Sequence, residues 1–326
     1  MRYSVYAIMR VPLREKAEGP SHVGANHAEM ELIGVNVGGT TTTVVRGDET
    51  GTISKRGSFQ TQSELGAEPL YAKIAGAIRD FCTSETRAAG VAIGGPLDAK
   101  HGIILNAPHL PFRDFPLLER LREDCTLPVR VHHDAAACAL AEWRWGPDAG
   151  APGIAYLTCG TGFGAGLVLD GRVRYGASGH SPEIGHIRYR DDGPDIFAKP
   201  GCFEGFGSAK ALLLLAQQRD PENLGRTSPA EILARARAGG PAAREIVREN
   251  ARAVGAACAL LADLLVLDVI ALGSLSQYGG DEWIGWVRET FEREALPANV
   301  ASCRLRRAMP SVQDLSALAT AVEAAS

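Results

Sequence analysis

The stretch Ile154-Ala-Tyr-Leu-Thr-Cys-Gly-Thr-Gly-Phe-Gly-Ala-Gly-Leu-Val-Leu169 decides the fold. Two apolar runs flank a turn rich in glycine and threonine, and a tight-turn signal, Asp170-Gly171, follows. The glycines also match the dinucleotide pattern GxGxxA, but that site requires a helix directly after them. A strand and a turn follow here instead. The stretch therefore predicts a β-hairpin and excludes a Rossmann site.

The same arrangement occurs once earlier in the chain. Residues 32–37 form one β run, Gly38-Gly39-Thr40 follows, and residues 41–45 form a second β run. Taken alone, this is equally typical of an ordinary Gly-Gly hairpin. Glycines let backbone N–H groups approach a ligand closely, and threonines add hydroxyls. We therefore expect two such hairpins, one in each half, to face each other across a cleft and grip a polyphosphate.

Between the hairpins, a strand at residues 127–131 runs into His132, His133 and Asp134, and an Ala-rich helical pattern starts at once. A carboxylate at such a reversal points into a cleft in many α/β proteins. Aspartate is also a preferred N-cap, so the local pattern leaves both roles open. His132 we interpret as a partly buried ring beside the strand end.

Composition narrows the class of protein. The chain has 326 residues, 45% of them hydrophobic, which is enough for one large or two medium domains. A net charge of −4 argues against a nucleic-acid binder. Seven scattered cysteines include no CxxC pair, which is typical of reduced thiols in a cytoplasmic protein. No apolar run approaches the roughly 20 residues of a membrane span.

Outside these motifs, strands and helices alternate, which predicts an α/β fold. Residues 1–30 lack the apolar core of a signal peptide. We interpret them as an N-terminal extension, either poorly ordered or produced by an early start codon, with Met30 as the natural start. The periodicity predicts helices over 66–82, 208–218, 241–264 and 281–293, a C-terminal helix after Ser311, and a buried strand over 266–272.

The order of these motifs resembles that of the ROK family of the actin-like ATPase superfamily, from about Leu32 to the C-terminus. The family's DxGGT appears as Asn36-Val-Gly-Gly-Thr40, and its GTGxGxG is intact at 160–166. Its NDA motif appears as His133-Asp-Ala135, ExGH is intact at 183–186, and GCxE is present at 201–204. One such motif is weak, but five in order are specific.

The resemblance implies a two-domain actin-like, ribonuclease H-like ATPase fold with an interdomain cleft. We expect a smaller α/β domain over 31–134 plus 310–326 and a larger one over 135–309. It also implies an ATP- and Mg²⁺-dependent carbohydrate kinase that phosphorylates a hexose hydroxyl, with the 6-OH expected. Asp134 would be the general base. The sugar would be bound by His109, His133, Glu183, His186 and Glu204. The nucleotide would be bound by Asn36, Gly38, Gly39, Thr40, Thr41, Gly160, Thr161, Gly162, Gly273 and Ser274.

The departures from the family pattern are specific. Asn36 replaces an aspartate that helps hold magnesium, Ser274 replaces a glycine, and His109 and His133 replace sugar-facing asparagines. The family's zinc cysteines correspond to Asp195, Phe197 and Cys202, which leaves only His186 and Cys202. Two ligands are too few for structural zinc. We therefore expect no metal there and a loop held by packing around Phe197 and Phe203.

These departures keep a second function open, that of a degenerate sugar- or nucleotide-binding protein. A transcriptional repressor of the same family is disfavoured, since residues before Leu32 are too few for a DNA-binding domain. We expect a small-molecule sugar as substrate, no nucleic-acid or membrane partner, and a homodimer in the cytoplasm. The sugar, and the choice between ATP and polyphosphate as donor, stay undetermined by the sequence.

Overall fold

The computed structural model describes residues 30–196 and 198–326. The predicted N-terminal extension lies outside the described residues except for Met30, and Phe197 lies outside them as well. Among the helices that are described, none has both the length and the apolar character needed to cross a membrane.

The first half of the chain begins with three strands that form a meander. Its strands are β1 (Glu31–Val37), β2 (Thr41–Gly47), β3 (Ile53–Gln60), β4 (Thr86–Ile93), β5 (Leu97–Asp98), β6 (Ile103–Asn106), β7 (Arg113–Phe115) and β8 (Val129–His133). Its helices are α1 (Ala67–Phe81), α2 (Leu117–Asp124) and α3 (Asp134–Trp145). The predicted helix over 66–82 is thus confirmed as α1, whose apolar residues Leu70, Ile74 and Ile78 are buried.

The second half repeats the opening hairpin and then adds a large helical layer. Its strands are β9 (Gly153–Cys159), β10 (Phe163–Leu169), β11 (Arg172–Val173), β12 (Asp195–Ile196), β13 (Lys199–Pro200), β14 (Val269–Leu272) and β15 (Arg304–Arg307). Its helices are α4 (Phe203–Gly207), α5 (Ala209–Arg219), α6 (Pro229–Arg237), α7 (Pro241–Leu265), α8 (Leu275–Tyr278), α9 (Gly280–Glu294), α10 (Pro297–Ser302) and α11 (Val312–Ala325).

The two main sheets have the same topology. One has the order β3-β2-β1-β4-β8 and the other the order β11-β10-β9-β14-β15. In each sheet the first three strands of the half pair antiparallel, and the last two add parallel to the first. The repeated hairpin predicted from the sequence is therefore part of a whole repeated sheet.

Helices α3 and α11 lie between the sheets and pack on each other. Glycines on the strands permit the close approach. A Cβ built at Gly166 of β10 would lie 1.9 Å from the carbonyl oxygen of Ala135, and one at Gly90 of β4 would lie 2.2 Å from the amide nitrogen of Ala321. The helices thus rest on strand backbone, and the start of α3 is fixed against the second sheet.

One predicted boundary is wrong. The strand predicted over 266–272 starts only at Val269, because α7 runs to Leu265 and Val266 ends it in a left-handed conformation (φ 51°). A left-handed residue is a common helix C-cap, although a β-branched residue adopts it rarely. The apolar character of Val266 suggested a buried strand, yet the residue is 69% exposed.

Candidate functional site

The first hairpin turns over residues 38–41 between β1 and β2. The amide of Gly38 donates to the carbonyl oxygen of Thr41 (3.2 Å), which closes the turn. Thr61, which follows β3 and is 1% exposed, donates from its hydroxyl to the carbonyl oxygen of Gly38 (2.7 Å). Its own amide donates to the carbonyl oxygen of Thr40 (2.9 Å). Thr61 therefore stabilises the turn through two hydrogen bonds to its carbonyl oxygens, a role that the sequence did not reveal.

The second hairpin is held by a carboxylate. The amide of Phe163 donates to Oε2 of Glu204 (3.1 Å), and the amide of Ala209 donates to the carbonyl oxygen of Gly160 (2.7 Å). A Cβ at Gly162 would lie only 3.2 Å from Oε2 of Glu204. Glu204, predicted to bind sugar, thus uses one oxygen to fix the turn that carries the predicted phosphate contacts.

Both hairpins reach one cavity of about 90 Å³. Asn36, Val37 and Gly38 line it from the first sheet, and Tyr156 and Thr158 from the second. The remaining walls are two central helices, through Asp134, Ala135 and Cys138 of α3 and Gln313 of α11. The structure therefore brings Asn36, predicted to lie at the nucleotide, next to Asp134, predicted to act on the acceptor.

Asp134 is the first residue of α3, and the N-cap position belongs to His133. Oδ1 of Asp134 accepts a hydrogen bond from the amide of Ala135 (2.6 Å), and 47% of the Asp134 side chain is exposed. A carboxylate in the first turn of a helix is stabilised by the helix dipole. The side chain is thus anchored by one oxygen and open to the cleft, which suits a base better than a buried cap.

Four other predicted groups, His133, Glu183, His186 and Glu204, interact electrostatically with one another or with Asp134. The pKa of Glu183 is raised, first by burial and further by the charges of Glu204 and Asp134, while His133 and His186 act to lower it. These five side chains therefore share one electrostatic environment, as expected for a polar substrate pocket. His133 adds a buried Nδ1 that has no hydrogen-bond partner, 3.3 Å from Oδ1 of Asp134.

His109 lies at a different place. Its Cβ is 3.3 Å from where a Cβ of Gly39 would be, and its carbonyl oxygen accepts a hydrogen bond from the hydroxyl of Ser63 (3.1 Å). The side chain is exposed beside the first hairpin. Its predicted contact with sugar stays a prediction, since the described contacts place it beside the first hairpin.

Gly273 and Ser274 follow β14 and lie against Tyr156 and Gly160 of the second hairpin. A Cβ at Gly273 would lie 2.0 Å from the hydroxyl of Tyr156, so only glycine fits there. Ser274 has φ 45° and ψ −99°, a conformation that favours glycine, and its hydroxyl lies 3.2 Å from the Cβ position of Gly160. The backbone of Ser274 is therefore strained at a position where the ROK family pattern has glycine.

Replacing Ser274 by glycine is therefore expected to stabilise the protein. Removing the strain of a non-glycine residue in this region should raise the free energy of unfolding by about 1 kcal/mol. The midpoint of thermal unfolding measures the change. The matched control is Ser84→Gly, at an exposed residue of a turn with negative φ, which should leave the midpoint unchanged or lower it. A lower midpoint for Ser274→Gly would contradict the account of strain.

The loop that carries His186 is stabilised by aromatic stacking and by an ion pair. Phe203 stacks on Tyr189 (ring centroids 5.0 Å apart) and on Phe163 (6.4 Å), as the sequence predicts for Phe203. Arg190 contacts the buried Glu249 of α7 at 2.6 Å. Within residues 30–196 and 198–326, no group of three or more His, Cys, Asp or Glu side chains is placed to hold a metal ion. The predicted packing of Phe197 lies outside the described residues.

Comparison with known proteins identifies the fold family. The model of the ROK family matches residues 32–304. The chain belongs to the ROK family. It is 30% identical to a glucokinase of Halalkalibacterium halodurans over 81% of this chain and 86% of that one. A ROK glucokinase of Streptomyces griseus, solved with glucose and AMPPNP, superposes with a TM-score of 0.76 at 29% identity over 90% of this chain and 98% of that one.

The ROK family also contains regulators. A xylose repressor of Caldicellulosiruptor bescii is 27% identical over 66% of this chain, which covers 57% of that protein. Family membership therefore establishes the actin-like ATPase fold and the likeness to sugar kinases. The role of each residue has to be argued from the site itself.

Proposed function

We propose that this chain is an ATP-dependent sugar kinase that transfers the γ-phosphoryl group to a hexose hydroxyl, the 6-OH, with Asp134 as general base. The observation that carries the proposal is the cavity shared by both hairpins and Asp134. Phosphoryl transfer depends mainly on positioning and on stabilising charge, and glycine-rich turns such as those of the two hairpins would supply backbone N–H groups for that purpose.

The acceptor side supports the same reaction. A sugar hydroxyl becomes a better nucleophile when a carboxylate accepts its proton as the bond to phosphorus forms. Asp134 has a free Oδ2 at the cleft, because only Oδ1 is bonded to the amide of Ala135. Glu183, His186 and the unpartnered Nδ1 of His133 supply hydrogen-bonding groups around the sugar.

The donor side fits ATP with Mg²⁺, which neutralises phosphate charge when bound. Mg²⁺ prefers oxygen ligands and keeps several waters. The cavity offers such oxygens in the amide of Asn36 and the hydroxyl of Thr158. The same family resemblance supports a homodimer in the cytoplasm, and light scattering of the purified chain tests the dimer.

A coupled assay of ADP release across hexoses, amino sugars and polyols, with ATP and polyphosphate as alternative donors, tests the proposal. Turnover that requires a sugar is the expected result. The second candidate, a sugar-binding protein with little turnover, is favoured by the neutral Asn36 and the strained Ser274. It predicts silence across the panel together with a sugar-induced rise in the midpoint of thermal unfolding.

Asn36→Asp is expected to lower the KM for Mg·ATP. A carboxylate attracts the cation and its waters more strongly than an amide does, and a nearby unit charge contributes on the order of 1 kcal/mol, or about fivefold in KM. Initial rates at varied Mg·ATP and saturating sugar measure the change. The matched control is Asn223→Asp, at an exposed turn far from the cleft. An unchanged KM for Asn36→Asp would mean that another group supplies the charge.

A further inference from the structure

His132 is a buried polar residue that lies next to the candidate site. The proposed phosphoryl transfer gives this residue no role. It precedes His133 on β8, so its side chain points to the opposite face of the strand. The ring is 1% exposed, although imidazole is polar at both nitrogens. Buried polar groups are kept in folded proteins when they are hydrogen-bonded, so its partners show what the ring does.

Both nitrogens of His132 have partners from distant parts of the chain. Nδ1 lies 2.9 Å from the hydroxyl of Tyr175, which follows β11 in the second half. Nε2 lies 2.8 Å from Oε2 of Glu323 on α11, 191 residues away. The rings of His132 and Tyr175 also stack, with centroids 5.7 Å apart.

The Tyr175 hydroxyl makes one further contact, to the backbone in front of Asp134. The amide of His133 donates to it at 3.2 Å. Strand β8 is the edge strand of its sheet, so part of its backbone has no neighbouring strand to bond. Tyr175 satisfies this amide from the other half of the molecule.

The partners support one direction for the chain of bonds. The tyrosine oxygen accepts from the amide of His133, and its hydrogen is available to donate to Nδ1 of His132. Nε2 then carries the ring proton and donates to the carboxylate of Glu323. In this arrangement both ring nitrogens of His132 and the hydroxyl of Tyr175 have hydrogen-bond partners.

The charges nearby suit this arrangement. Burial acts to raise the pKa of Glu323, but its hydrogen bond and electrostatic interaction with His132, together with the charges of Arg130 and Arg144, outweigh burial and leave the pKa lowered. Glu323 therefore stays an acceptor. Burial raises the pKa of Tyr175, which keeps the hydroxyl protonated and able to donate.

We propose that Tyr175, His132 and Glu323 are positioning residues for Asp134, because their hydrogen bonds fix the backbone of His133 from which α3 begins. The inference rests on the proposed function. The contacts join β8, α11 and the segment after β11, so the base is held relative to both halves of the cleft. A reacting group displaced by about 1 Å loses on the order of 100-fold in rate.

Tyr175→Phe tests the proposal by removing only the hydroxyl. We expect kcat to fall on the order of 10–100-fold while the KM for Mg·ATP changes by less than about twofold, because the two hairpins stay in place and the start of α3 shifts. The matched control is Tyr71→Phe, which removes a hydroxyl bonded to Asp124 (2.5 Å) on the outer side of the first sheet. Its kcat should match that of the unaltered protein.

A second pair of variants separates positioning from folding. Glu323→Gln keeps an oxygen that accepts from Nε2, so kcat should stay within about threefold of the unaltered value. Glu323→Leu removes the acceptor and should lower kcat as Tyr175→Phe does. If both variants lower the midpoint of thermal unfolding equally and neither changes kcat, the residues are structural only and the proposal is wrong.

Nitrogen-15 NMR of the histidine rings gives a readout that needs no turnover. The ring of His132, assigned by its loss in His132→Gln among the eight histidines, should show a protonated Nε2 and an unprotonated Nδ1. A protonated Nδ1 would contradict the chain of bonds. If the unaltered protein phosphorylates no sugar, the proposed function fails, while this spectrum still decides the arrangement around His132.

Discussion

Asp134→Asn is expected to lower kcat by about 10²–10⁴-fold, the contribution typical of a general base. The amide keeps the shape of the side chain and its hydrogen bond to Ala135, but it cannot accept the proton of a sugar hydroxyl. Sugar and nucleotide should still bind, because the hairpins and Glu183 are unchanged. Steady-state rates and calorimetric binding constants measure the two effects separately.

The matched control for this variant is Asp170→Asn. Asp170 is exposed in the turn between β10 and β11 with φ 51°, a conformation that asparagine adopts as readily as aspartate. Its kcat should be unchanged. If Asp134→Asn kept a tenth or more of the activity, another group would be the base.

Gly166→Ala is expected to destabilise the protein by about 3 kcal/mol. The new methyl group would lie 1.9 Å from the carbonyl oxygen of Ala135 and 2.6 Å from Cα of Ala136, both of them backbone atoms that cannot rotate away. Helix α3 must then move off β10, and Asp134 moves with it. We expect a thermal midpoint lower by roughly 4 °C together with a loss of kcat.

Gly285→Ala provides the comparison for this substitution. Gly285 lies in the interior of α9, and a Cβ built there meets no atom within 4 Å. Alanine is the better helix former by about 1 kcal/mol, so this variant should be as stable as the unaltered protein or more stable. Equal midpoints for Gly166→Ala and Gly285→Ala would mean that β10 does not fix the start of α3.

The sequence predicted the features that depend on local pattern. The two Gly-Thr hairpins, the strand leading to Asp134 and the buried face of α1 all follow from the periodicity of neighbouring residues. The structure shows that the repeat is larger than the two hairpins, since both five-stranded sheets have the same topology. The motif order also identified the ROK family, which the family model confirms over residues 32–304.

Hydrogen bonds between residues far apart in the chain could not be predicted, because they leave no local pattern in the sequence. Thr61 reaches Gly38 across 23 residues, and Glu323 reaches His132 across 191, so neither pair shares a local pattern. The sequence predicts a partly buried ring for His132, but the fold buries it almost fully between α11 and Tyr175. The sequence places Val266 in a strand because hydrophobicity alone does not show where a helix ends.

In the proposed reaction the phosphate donor and the sugar hydroxyl meet at Asp134. Phosphorus-31 NMR of the purified full chain with Mg·ATP and glucose follows the phosphoryl group itself. The expected spectra show a sugar phosphate monoester that forms together with ADP and is absent for Asp134→Asn. Release of ADP with inorganic phosphate, whether or not a sugar is present, would show that the phosphoryl group passes to water and not to a sugar.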